Sequence, residues 1–233
     1  MRNKEIESWE NHYLNQIEFI IKQDVNKMMD GLRSKDKIKV DWVNAFKESA
    51  NKNSDFARGA ERIYFWLFNQ FGIPNSSPIG SDLFFETYNA FIHLDIKTAK
   101  IDNESDYKGK IPIGKNQSSY KLSGIDYKVN LPKFYNYEGK ICLTYFINII
   151  YEQVDENISI KAVYLFSVPN GQLVSVYGNE IYNASKNKKN GFRYKYSSKP
   201  KFELLKDKPY RIRKLFLDEN IKEEDILDFC MEK

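Results

Sequence analysis

Asp82, Asp95 and Lys97 are the residues of this 233-residue chain whose types and spacing suit chemistry. They lie in the segment Ser81-Asp82-Leu83-Phe84-Phe85-Glu86-Thr87-Tyr88-Asn89-Ala90-Phe91-Ile92-His93-Leu94-Asp95-Ile96-Lys97. A two-residue turn at Tyr88-Asn89 would close it into a hairpin whose partner numbers sum to 177. Asp82 then faces Asp95, Phe84 faces His93 and Glu86 faces Phe91, and Lys97 joins that side two residues further on. The opposite side, with Leu83 on Leu94 and Phe85 on Ile92, is wholly apolar. Directly opposed side chains lie roughly 4.5–5.5 Å apart at Cβ, and like charges there destabilise a sheet. A cation between the two aspartates removes that conflict, and carboxylate oxygens suit a hard ion such as Mg²⁺. Two carboxylates, a strand carbonyl and a lysine suffice to hydrolyse a phosphodiester. The competing reading is an exposed ion-pair cluster, which would be worth little. The Asp-x-Lys triplet does not choose between them, since Asp106-Tyr107-Lys108 and Asp126-Tyr127-Lys128 repeat it.

The elements that must position these residues follow from periodicity. Ile6, Trp9, Tyr13, Ile17, Ile20, Val25 and Met28 recur at helical spacing up to Gly31. This stripe suits a helix on the core or a dimerisation helix. A short helix is expected over 41–50, and another over 55–71 ending at Gly72 and Pro74. After the hairpin comes a polar stretch, 100–140, and then two apolar strands, 141–151 and 160–168, joined by a turn-rich 152–157. Near-continuous apolar runs suit strands buried on both faces. A basic segment with interleaved aromatics spans 183–201, and a closing helix spans 222–231 with Asn220 as N-cap. The order implies an α/β (α+β) fold, a mixed central sheet flanked by helices. The expectation is a single domain over 1–233, with a helical part in 1–72 and the catalytic sheet in 73–233.

Composition narrows the classes further. Hydrophobic residues make up 42% and aromatics 15%, enough for a filled core. The net charge of +4 is compatible with nucleic acid without requiring it. Two cysteines, Cys142 and Cys230, offer no disulfide framework, and two histidines make a zinc site a poor expectation. No signal peptide is evident, and the longest apolar run is too short for a bilayer and contains Asn148. A soluble, cytoplasmic protein with no membrane association is expected.

With these residues in view, Asp82…Asp95-Ile96-Lys97, its acidic residues thirteen apart, resembles the metal site of the PD-(D/E)xK nucleases. It resembles type II restriction endonucleases above all. The run Asp95-Ile96-Lys97-Thr98-Ala99-Lys100 looks like the site strand of the EcoRV/HincII kind. The motif's proline is Ser81 here, with Pro78 close by. The resemblance implies Mg²⁺ held by Asp82, Asp95 and the Ile96 carbonyl, with Lys97 at the attacking water. It adds Glu61 as a candidate helix glutamate of the catalytic group, although an ordinary surface glutamate fits that position equally.

The resemblance also gives meaning to 111–121, which by itself reads as a polar loop. In such enzymes a recognition loop follows the site at about this interval. Asn116 and Gln117 can bond adenine bidentately, Ser118, Ser119 and Tyr120 can meet bases or phosphates, and Lys115 and Lys121 can meet phosphates. Absence of arginine there leans towards an A·T-containing target. Lys186, Lys188, Lys189, Arg193, Lys195, Lys199 and Lys201 form either a solvated loop or a phosphate clamp, to which Arg211 and Arg213 could add. The expected function is Mg²⁺-dependent, sequence-specific cleavage of double-stranded DNA leaving 5′-phosphate ends. A palindromic target would require a homodimer. Alternatives are a structure-specific repair nuclease or junction resolvase of the same fold, and a non-catalytic DNA-binding module.

Overall fold

The structure is a computed structural model, and it describes residues 3–23, 25–33, 60, 83–109, 120–122, 125–127, 136–137, 139–154, 157–169 and 203–231. The helices expected over 41–50 and 55–71 lie outside these residues except for Ala60, which is helical and buried in the core.

The N-terminal stripe forms two helices, α1 (Asn3–Lys22) and α2 (Val25–Arg33), where the periodicity had suggested one. Tyr13, Leu14, Ile17 and Ile21 of α1 and Met28, Met29 and Leu32 of α2 are buried in one cluster with the sheet. The long stripe is therefore covered within the chain itself.

Among the described residues six strands form the main sheet: β1 (Leu83–Glu86), β2 (Ala90–Lys100), β5 (Asn136–Tyr137), β6 (Lys140–Val154), β7 (Asn157–Val168) and β8 (Ile212–Leu217). Their order is β1-β2-β6-β7-β8, with the short β5 also paired to β6. Only the β2–β6 pairing is parallel among these; the others are antiparallel, so the sheet is mixed. Strands β3 (Tyr120–Leu122) and β4 (Ile125–Tyr127) form a separate two-stranded hairpin.

The β1–β2 register is Leu83↔Leu94, Phe84↔His93, Phe85↔Ile92 and Glu86↔Phe91, each pair summing to 177 as the sequence implied. The turn at Tyr88-Asn89 is closed by the Thr87 N–H bonding the Ala90 carbonyl at 2.8 Å. The Tyr13 hydroxyl reaches this turn from α1, lying 2.8 Å from Thr87 Oγ1 and bonded to Asn89 Oδ1.

Alternation sorts the sheet into two faces. Leu83, Phe85, Ile92, Leu94 and Ile96 join Leu143, Tyr145 and Ile147 beneath α1 and α2. The other face buries Phe146, Ile150, Tyr164 and Phe166 against α3 (Glu203–Lys206) and α4 (Glu223–Leu227) through Leu205, Ile226 and Leu227. Burying both faces explains the near-continuous apolar runs of β6 and β7. The closing helix is shorter than 222–231, and Asn220 is not its cap. Its N–H and its amide both bond Asp218 Oδ1 at 3.0 Å, and Lys222 occupies the cap position.

Candidate active site

Strand β2 places His93, Asp95 and Lys97 on the face away from α1 and α2, because odd positions alternate with the buried Ile92, Leu94 and Ile96. The parallel ladder pairs His93 with Thr144, Asp95 with Phe146 and Lys97 with Asn148. His93, Asp95, Thr144 and Asn148 are all buried, Asp95 at 1% exposure. A row of polar groups thus interrupts an otherwise apolar sheet face.

Lys97 Nζ lies 2.5 Å from Asp95 Oδ2, with the lysine side chain 21% exposed and the aspartate side chain 2%. This excludes an exposed surface cluster for the pair. The neighbour of Asp95 across the ladder, Phe146, stacks on Phe166 at 4.4 Å between ring centroids. Aromatic surroundings strip water from the carboxylate, and a buried charge requires a partner. The ammonium of Lys97 is one such partner, and a cation would be another.

The donor set suits a hard metal ion as far as it is described. Asp95 brings a buried anionic oxygen of the kind such an ion takes. Among the described residues no group of three or more His, Cys, Asp or Glu side chains gathers as a metal site. Asp82, one position before β1, lies outside the described residues, as do Glu61, Lys115, Asn116, Gln117, Ser118, Ser119, Arg193 and Lys195. Tyr120 and Lys121, expected in a loop, begin β3 and pair with Tyr127 and Asp126.

Arg211 and Arg213, considered above for phosphate contact, are engaged inside the protein. Arg211 is 1% exposed and pairs with the buried Glu10 of α1 at 2.5 Å. Burial pushes the Glu10 carboxyl up from its ordinary range, and the Arg211 guanidinium offsets part of that rise. The Glu10 carbonyl also accepts a hydrogen bond from the Tyr145 hydroxyl at 2.8 Å. Arg213 bonds Glu18 at 2.8 Å, Asn15 at 2.9 Å and Asn11 at 3.1 Å, all on α1. Both arginines therefore fasten β8 and the turn before it to the first helix.

Thr144 and Asn148 are members of the row that residue types and spacing did not single out. The signal was present in Asn148, a polar residue inside the apolar run of β6. Its place beside Lys97 depends on a pairing between segments far apart in sequence.

The mixed sheet with helices on both faces is that of restriction endonucleases. BglI, in a crystal structure bound to its DNA recognition sequence, matches with a TM-score of 0.55 at 14% identity over 89% of each chain. Tetrameric SfiI bound to cognate DNA matches with a TM-score of 0.53 at 13% identity, over 95% of this chain and 88% of that one. These likenesses concern the fold. In sequence, residues 2–157 match the N-terminal domain of type II restriction enzyme MwoI, and residues 160–217 match its central domain. The chain belongs to the family of type II restriction enzyme MwoI and is a site-specific deoxyribonuclease. The comparison with curated protein sequences gives no match. The boundary between the two matched segments falls at the start of β7, which pairs with β6 within one sheet. Among the described residues no helix is long and apolar enough to cross a membrane.

Proposed function

We propose that the chain cleaves double-stranded DNA with Mg²⁺ at a PD-(D/E)xK-type centre built on β2. The observation that carries this reading is the Asp95–Lys97 pair, held at 2.5 Å with the aspartate buried, on the alternating strand where the motif requires it. The β1–β2 register keeps the sum of 177 as far as Leu83↔Leu94, which supports the sequence expectation of Asp82 as a second carboxylate. Asp82, Asp95 and the Ile96 carbonyl would hold the cation, which when bound would supply Lewis acidity. Lys97 orients the attacking water and offsets the negative charge that grows on the phosphate. Attack in line breaks the bond to the 3′-oxygen, leaving a 3′-hydroxyl and a 5′-phosphate.

Glu61 stays a candidate member of this centre by residue type and order. Lys115 to Lys121 remain candidates for base and phosphate contact, with Arg193 and Lys195 for backbone contact. A palindromic, A·T-containing target rests on the residue types of Asn116 and Gln117, and a homodimer on the two cuts such a target needs. The EcoRV/HincII kind, and SwaI as a single enzyme reading such a target, rest on the β2 strand and this loop alone. A single domain over 1–233 and a cytoplasmic location belong to the same reading.

Plasmid DNA incubated with the protein and Mg²⁺ should give discrete bands that EDTA abolishes. Asp95→Ala should eliminate them while leaving folding and most DNA binding intact. Cleavage by that variant would remove the centre from β2. Cleavage confined to branched DNA would favour a resolvase.

A further inference from the structure

Asn148 is 2% exposed, and its Oδ1 has no hydrogen-bond partner among the described residues. It stands between Phe146 and Ile150 on the same face of β6, with Tyr164 opposite on β7. An apolar side chain would suit that place better, because a buried carbonyl without a donor loses its hydration for nothing. The donor it lacks is one strand away. Lys97 is its register partner across the parallel β2–β6 ladder, on the same face, and neighbouring strands lie about 4.7–4.9 Å apart. An ammonium carries three donors, and this one forms an ion pair with Asp95 Oδ2 at 2.5 Å.

We propose that Asn148 is a positioning residue that receives the Lys97 ammonium when Asp95 is engaged elsewhere. The inference rests on the nuclease reading of β2 and extends it to β6. In the metal-free protein Lys97 neutralises Asp95. When the Asp95 oxygens turn to a cation, the ammonium needs an acceptor that keeps it over the site instead of releasing it to solvent. Asn148 Oδ1 is that acceptor, fixed by a strand buried on both sides. Local packing is thus poorer than an apolar residue would give, in exchange for a fixed lysine.

Two substitutions separate this role from a structural one. Asn148→Leu keeps the volume and removes the acceptor, while Asn148→Asp keeps an oxygen in place. Asn148→Leu should melt at or above the wild-type temperature, yet cut DNA about tenfold or more slowly in single turnover. Its DNA affinity, measured with Ca²⁺ in place of Mg²⁺, should be unchanged, and Asn148→Asp should recover most of the rate. Wild-type cleavage by Asn148→Leu, equal loss in both variants, or a clear drop in melting temperature of Asn148→Leu would each overturn the proposal.

A second arm needs no cleavage. In metal-free protein carrying Asp95→Ala, Lys97 has lost its carboxylate, so adding Asn148→Leu should lower the melting temperature. In the wild-type background the same change should not. Equal shifts in the two backgrounds would refute the Lys97–Asn148 link even if the protein cuts DNA. Coupling found in a protein that cuts no DNA would support the link and reject the nuclease reading instead.

Discussion

Replacing Arg211 by methionine tests whether this arginine holds the fold or the DNA. Its guanidinium is 1% exposed, pairs with Glu10 at 2.5 Å and donates towards Ser167 Oγ at 3.5 Å. Glu10 is itself 3% exposed, so removing the arginine leaves a carboxylate buried without its main counter-charge. Breaking a buried pair from one side costs about 3–5 kcal/mol. For a chain of this size each kcal/mol moves the melting temperature by about 2–4 °C, so Arg211→Met should melt about 6–20 °C below wild type. Adding Glu10→Leu should recover much of that loss, because a hydrophobic pair can replace a buried ion pair. The assay is thermal melting by circular dichroism, alongside DNA affinity over a salt series. A phosphate-binding arginine predicts the reverse pattern, a melting temperature near wild type and a salt slope reduced by about one. Finding that pattern, or finding that the Glu10 and Arg211 losses simply add, would refute the assignment.

The same pair carries a pH dependence. Burial raises the folded pKa of Glu10 above its unfolded value near 4.5, so this stabilising contribution is complete below that value and lost as pH rises through the folded pKa. Arg211→Met removes the group that lowers the folded pKa, so the stability gap between it and wild type should narrow from pH 8 to pH 5; a gap that widens would contradict this. Tyr13→Phe removes the α1 hydroxyl at the β1–β2 turn and should cost about 1 kcal/mol in urea unfolding, with no cost meaning that the contact is idle. Asn116→Ala or Gln117→Ala should weaken discrimination between DNA sequences more than overall affinity. Equal loss on every sequence would assign the loop to backbone grip.

The site strand was legible in the sequence because alternation and turn length together fix a hairpin register. A shift of one residue would have exposed Leu83, Phe85, Ile92 and Leu94. The paired strands β6 and β7 were legible for a similar reason, although the structure carries them closer to the turn. Glu152, expected in the connection 152–157, lies in β6 and pairs with Lys161 of β7 at 3.0 Å. Strand β8 was not legible. It is a half-exposed edge bearing Arg213 and Lys214, so neither alternation nor an apolar run marks it. The roles of Arg211 and Arg213 were hidden more deeply, since their partners on α1 are about two hundred positions away. Asn148 was visible as a polar interruption, but only the β2–β6 pairing gives it a neighbour.

That pairing has a kinetic consequence. Every rung of the β2–β6 ladder, from Ala90↔Ile141 to Lys100↔Tyr151, joins residues 51 positions apart. The β1–β2 and β6–β7 pairs join segments close in sequence and can zip locally, whereas the parallel ladder must first overcome a long loop closure. We expect the aspartate and lysine of β2 to meet the asparagine of β6 late in folding. In pulse-labelling hydrogen exchange, β1–β2 and β6–β7 amides should gain protection before those bridging β2 and β6. Simultaneous protection would contradict that order. A nascent or partly folded chain would then hold two harmless hairpins, and the capacity to cut DNA would arrive with the last long-range contact.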